Sequence, residues 1–187
     1  MKPNESDVES HLVEWLNREH NADVGNKAKR LRYIRRQFGK EGQIQVFFGG
    51  PIAKDLFEEA RWSYVNGQFI ACLLLCQSFF EADLTGQISH APWHFGMTDA
   101  SLEAAGFAEL IDAAELGRII SPLDARTFHW LRKTRRQYVH VKPAFSKKNF
   151  MKRVVHENRI PYALHKRDAR KAIKIILNWI QQPPHRI

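Results

Sequence analysis

Apolar residues recur every three or four positions along most of the chain, which predicts helices and little else. Val8, Leu12, Trp15 and Leu16 follow Ser6-x-x-Glu9, a capping-box pattern, so a first helix is expected over about Asp7 to Arg18. After 23-DVGN-26, a second short helix over about Lys27 to Phe38 puts Leu31, Ile34 and Phe38 on one side. The break 39-GKEG-42 leads into 44-IQVFF-48, a short strand or extended segment. Pro51 is placed for the first turn of the next helix. There Ile52, Leu56, Ala60 and Tyr64 keep helical spacing until Asn66-Gly67 turns the chain. From Phe69 to about Ile88 the pattern is apolar almost all round for its first turns, which marks a central buried helix.

Helical patterning resumes from Ser101 to Leu116, and Gly117 closes it. Ser121-Pro122 supplies an N-cap and a first-turn proline for a helix that runs through Phe128, Trp130 and Leu131. Pro143 disfavours helix at Lys142, so this element should end near His140 or Val141. Residues 144–164 are basic and irregular and carry no firm assignment. A last helix over about Lys166 to Gln181 turns Ala169, Ala172, Ile173, Ile176, Leu177 and Ile180 inward. The fold class is all-α, with a basic N-terminal helical extension over 1–50 and a helical bundle over 51–187.

Composition changes this picture in one respect. A chain of 187 residues with 44% hydrophobic and 26% charged residues is an ordinary soluble domain. Its net charge of +9 is not ordinary, and it favours a polyanionic partner through long-range attraction and counterion release. The excess sits in 27-KAKRLRYIRR-36 and from Arg126 onward. On the second helix it is either a solvated face or a phosphate-tracking arm, with Arg30 and Arg35 as candidate nucleic-acid contacts. Cys72 and Cys76 share one helical face in an apolar run and read as small core residues rather than a disulfide framework. The first residues show no secretory apolar region, and the run 69-FIACLLLC-76 is shorter than a membrane span. A cytoplasmic protein without a membrane partner is expected.

Several chemistries are missing. There is no glycine-rich phosphate loop, no G-x-S-x-G elbow and no zinc-finger spacing. His90 and His94 have metal-like spacing, but Pro92 lies between them and no third ligand is near, so neither a metal nor a cofactor is expected. Glu81 lies on the most apolar helix, where an ionised carboxylate needs a cation or several donors, and an arginine of 132-RKTRRQYVH-140 would supply one. In that stretch Arg132, Arg136 and His140 form one helical column, and Arg135 is offset from His140 by roughly 140°. The helix dipole favours the protonated imidazole, whereas nearby guanidinium groups favour the neutral one, so His140 is suited to titrate near neutrality. Arginine forks match phosphate oxygens, and an imidazole beside them can move a proton from a ribose 2′-hydroxyl without a metal. Spacing alone leaves two readings open: an inert basic helix end, or a phosphodiester site.

The order of elements adds to this. The run 58-EEARWSYVNGQFIACLLLCQSFFEADL-84 resembles the paired first helices of HEPN domains, in which an E-A-x(3)-Y-x-x-G-type turn leads into an apolar helix ending in a glutamate. The later 131-LRKTRRQYVH-140 is similar to their R-x(4–6)-H motif, with Arg135 and His140 as the matching pair, and 168-DARKAIKIIL-177 is similar to their closing helix. The resemblance covers about Pro51 to Gln181. It implies an antiparallel bundle of the HEPN type that pairs as a homodimer, its two motifs meeting in a composite cleft. It also implies metal-independent endoribonuclease activity, as in a toxin or an anti-phage effector, although some members of the family are non-catalytic modules that bind RNA or a protein.

On that resemblance Arg135 holds the scissile phosphate, His140 is the general acid or base, and the product is a 2′,3′-cyclic phosphate. Glu81 would orient an arginine; Arg132, Arg136 and Tyr138 would support the site, and Lys133 and Lys142 would add nucleic-acid contacts. The implied partners are RNA, a second copy of the chain, and an antitoxin or regulatory protein. One departure stands out: Arg136 follows the motif arginine where the family often has asparagine or another small polar residue. Whether Arg135 or Arg136 shares a phosphate with His140 stays open.

Overall fold

The computed structural model describes residues 5–38, 46–139 and 150–181, and among these it holds nine α-helices, one short 3-10 helix and no strand. The fold is all-α, as the apolar periodicity requires. Its centre is a hairpin of α3 (Gly50–Val65) and α4 (Phe69–Ser89). Gly67 makes the turn at φ 79°, a left-handed conformation that costs a glycine little. Across the hairpin Phe57 packs on Phe79 at 6.4 Å and Tyr64 on Phe69 at 6.0 Å, so the two helices run antiparallel.

Beside α4 lie α7 (Pro122–Val139) and α9 (Pro161–Trp179). Phe80 reaches Phe128 at 4.3 Å and Trp179 at 6.0 Å, and these two rings meet each other at 5.5 Å. At the other end of the α7–α9 pair Tyr138 meets His165 at 5.1 Å, so α7 and α9 are antiparallel to each other. Phe69 meets Tyr162 at 5.4 Å, which makes α4 and α9 parallel. Burying a side chain such as Phe80 stabilises the fold by roughly 1.5–3 kcal/mol, and α4 contributes many such groups. By length and a mean hydropathy of 1.3 over its best window α4 would suit a membrane span, but here it is packed against α3, α6, α7 and α9. Cys72 and Cys76 lie buried on it with their sulfurs 3.9 Å apart.

The region from Ser101 to Leu116, expected as one helix, is two: α5 (Asp99–Ala104) and α6 (Phe107–Leu116). Thr98 and Ser101 form a capping box that starts α5 earlier than expected, and the extended Gly106 separates the two. Within the unassigned basic stretch, α8 (Phe150–His156) forms, and Pro161 opens α9 five residues before the expected start. Of 44-IQVFF-48, residues 46–48 are not strand; residues 44 and 45 lie outside the described residues.

The N-terminal pair behaves unevenly. In α2 (Val24–Gln37) Ile34 is buried in the common core, and Arg30 donates from Nε to the Val65 carbonyl at 2.7 Å. In α1 (Glu5–Ala22), by contrast, Leu12, Val13, Trp15 and Leu16 are 51–58% exposed. These four residues, three of them from the apolar stripe that predicted α1, therefore meet no core among the described residues.

Asp83 ties the bundle at its far end. It is buried on α4 and accepts hydrogen bonds from the Phe48 and Gly49 amides, from Gln87 Nε2 and from Trp179 Nε1. Gly86 makes this possible, since a Cβ there would fall 2.2 Å from the Phe48 carbonyl oxygen. Burial pushes the Asp83 carboxyl above the usual range, against the lowering by its four donors.

Candidate functional site

The sequence directs attention to the C-terminal turns of α7. A reciprocal cap fixes the start of this helix: Asp124 N donates to Ser121 Oγ at 3.1 Å, and Ser121 N and Oγ donate to the Asp124 carboxylate at 3.2 and 2.6 Å. Phe128, Leu131 and Thr134 turn into the core, and Lys171 lies 3.8 Å from the Trp130 ring. With that face fixed, Arg132 and Arg135 lie half-buried on its flanks, while Lys133 and Arg136 face solvent. Among the described residues none of these four forms an ion pair. Arg132 Nε is buried with no hydrogen-bond partner in the described structure. His140 and Lys142 lie outside the described residues.

Glu81 is half-buried on α4, and its carboxylate accepts from Gln77 Nε2 at 2.7 Å. Among the described residues no arginine of α7 pairs with it. The carboxylate on α4 that gathers several donors is Asp83, one-half turn further on.

Tyr138 is engaged in the fold. Its hydroxyl donates to Asp168 Oδ2 at 2.7 Å, and burial together with this bond raises its pKa well above the usual phenol range. Asp168, 2% exposed on α9, is gripped by both arms of Arg153 from α8 at 2.6 and 2.7 Å. Arg153 Nε also donates to Glu157 at 2.9 Å, and Arg167 closes on Glu157 from α9. Arg167 and Arg153 hold the Glu157 carboxyl down to about 2. The Phe150 ring packs 5.0 Å from Tyr138 and 5.1 Å from His165, and burial lowers the His165 imidazole below its usual range. Thus the two chain ends that flank residues 140–149 are held together by the Tyr138–Phe150 contact and the Asp168 knot. This fixes where α7 delivers its arginines.

Arg30, expected as a nucleic-acid contact, is instead 5% exposed. Its Nε holds the Val65 carbonyl and its Nη2 pairs with Asp23, so it joins α2 to the end of α3. The apolar spacing of Ile34 turns this side of α2 inward and takes Arg30 with it. Arg35 is exposed on the opposite side and lines a shallow recess with Leu31, Arg32 and Arg36.

Known proteins do not extend the picture. No protein-family model matches the chain, and no curated protein and no solved structure is significantly similar to it.

The residues that sequence reasoning missed are Asp83, Arg153 and Asp168. Asp83 and Asp168 shared a signal: each is a carboxylate inside an apolar stripe, Asp83 between Phe80 and Leu84 and Asp168 between Leu164 and Ala172. Arg153 had none, because its partner is 15 residues away in sequence. His90 and His94 are both exposed, and no group of three metal-binding side chains occurs among the described residues.

Proposed function

We propose that this chain is a HEPN-like, RNA-directed protein that cleaves RNA without a metal. The observation that carries the reading is the set Arg132, Lys133, Arg135 and Arg136, none in an ion pair among the described residues, on the helix that leads directly into His140. Cations left without internal carboxylates are available for an external polyanion. Arg135 binds a phosphate oxygen of the scissile diester, and Arg136, on the solvent side, holds a neighbouring phosphate. His140 takes the proton from the ribose 2′-hydroxyl while the 2′-oxygen attacks phosphorus. The P–O5′ bond breaks, the imidazolium so formed returns its proton to the leaving 5′-oxygen, and a 2′,3′-cyclic phosphate remains. Two copies of the chain form the working unit, acting as a toxin or anti-phage effector in the cytoplasm under control of an antitoxin or regulatory protein.

The test is RNA cleavage by the purified chain in the presence of a chelator, with the product ends identified. His140→Ala is expected to reduce the rate about 10²–10⁴-fold, with Arg135→Ala also impaired and the fold intact in both. Intact RNA after incubation with wild type, at any protein concentration, sinks the catalytic reading.

A second reading is a non-catalytic RNA-binding module of the same type. It is favoured by the placement of Glu81 and Tyr138, since Glu81 takes its hydrogen bond from Gln77 and Tyr138 gives its own to Asp168, so neither supports a motif arginine. Salt-sensitive RNA binding without cleavage would select it.

A further inference from the structure

A second cationic site lies away from the α7 arginines, where α2, the end of α3 and the first turns of α9 meet. A recess of about 180 Å³ is lined there by Lys29, Arg30, Tyr33, Tyr64, Lys166 and Arg170. Three helices that are distant in sequence each bring a cation or a phenol to it. Lys29, Lys166 and Arg170 are exposed at its rim, and none of them forms an ion pair among the described residues. Arg170 is held in place by stacking 4.3 Å from the Tyr33 ring.

The inner wall is built rather than incidental. Arg30, 5% exposed, is fixed by its Nε and Nη2 bonds, and its Nη1 makes no hydrogen bond among the described residues. Tyr64 is 2% exposed, its ring packs 5.9 Å from Tyr33, and its hydroxyl has no hydrogen-bond partner among the described residues. Burial raises that hydroxyl to about 12, so it remains a neutral donor at any working pH. Asp23, the carboxylate nearest this wall, is already paired with Arg30. Asn26 also lines the recess, but the cations and phenols outnumber it there, and guanidinium, ammonium and phenol together suit phosphate oxygens.

The geometry points to a phosphate-binding pocket at Lys29, Tyr64, Lys166 and Arg170, for a phosphate ester carried by an RNA strand or by a free nucleotide. It deepens the RNA-directed reading by adding an anchor separate from the α7 arginines, and it does not depend on cleavage. The recess takes in the first turns of α9, which stand at the same end of the bundle as the C-terminal turns of α7.

Three ligands test it on the full chain: sodium pyrophosphate and adenosine monophosphate by titration calorimetry, and a labelled single-stranded RNA by fluorescence anisotropy over a range of salt. The double variant Lys166→Ala/Arg170→Ala should weaken pyrophosphate at least tenfold. Tyr64→Phe, which keeps the ring and removes one donor, should weaken it by a few fold, with circular dichroism showing both variants folded. If RNA carries the phosphate, the double variant also lowers the salt slope of RNA binding by about 0.7, for the one phosphate no longer neutralised. A free nucleotide as the natural source instead shows as abolished adenosine monophosphate binding with the RNA slope unchanged. Wild-type affinity of the double variant for all three ligands, or no wild-type binding of any of them, overturns the pocket. Failure to cleave RNA removes the nuclease reading and leaves these readouts as they are.

Discussion

Two sets of arginines meet at one end of this bundle and do opposite work. Arg153 and Arg167 face Asp168 and Glu157 and close a knot among α7, α8 and α9 through Tyr138. Arg132, Arg135 and Arg136, on the helix that carries Tyr138, have no carboxylate within reach among the described residues. The residue type is the same, so the neighbour decides. Where a buried carboxylate is present, the guanidinium serves the fold; where none is, its charge is directed outward. A strongly basic sequence thus overstates the number of cations available to a partner, and Arg30 shows this most clearly.

The largest expected effect is on the knot. Arg153→Ala takes two short hydrogen bonds from buried Asp168 and leaves it, for counter-charge among the described residues, only the longer 3.6 Å contact with Arg167. Urea unfolding should show a loss of about 3–5 kcal/mol. A loss under about 1 kcal/mol would mean that Asp168 finds another partner and would break the contrast. Tyr138→Phe removes a single donor to that charged group and should cost about 1.5–3 kcal/mol by the same measurement.

Acid should separate the carboxylates by sign. Glu157 is held at about 2, below its ordinary 4.5, so its contribution is complete above about 4.5 and disappears as the pH falls toward about 2. Thermal melts of Glu157→Gln should therefore lie below wild type near neutrality and converge on it in that acid window. Asp83 runs the other way, since its carboxyl is raised: it favours the fold when protonated and loses that contribution as the pH rises through its folded value.

The smallest effect on stability is expected on α7. Arg136→Ala should change unfolding by no more than about 0.5 kcal/mol, while lowering the salt slope of single-stranded RNA binding by about 0.7. A stability loss comparable to that of Arg153→Ala would show that Arg136 belongs to the fold after all.

Much of the helical order was readable because periodicity is a local property. The stripes of α4 and α9 and the cap at Ser121 each follow from residues within a few turns. Boundaries that depend on a single cap or glycine moved, as at Thr98 and Gly106. The candidate site was legible as a composition of arginines and a histidine, and the structure puts Arg132 and Arg135 on the flanks of a fixed buried face with Arg136 outside. It could not be read from spacing that Glu81 would bond Gln77, because the choice between an i, i+4 neighbour and a distant arginine is made only when α4 meets α7.

By itself the sequence determined an all-α chain, a central apolar helix and a strong excess of positive charge. These depend on side-chain type and on spacing within one helix. Tertiary structure decided which carboxylate became the buried acceptor on α4, which arginines were drawn into the fold, and that Lys29, Tyr64, Lys166 and Arg170 share one recess. Such pairings join residues 15 or more positions apart, while hydrogen bonds need contact within about 3 Å and screened charges act over about 10 Å. No local pattern encodes that distance; helix packing sets it.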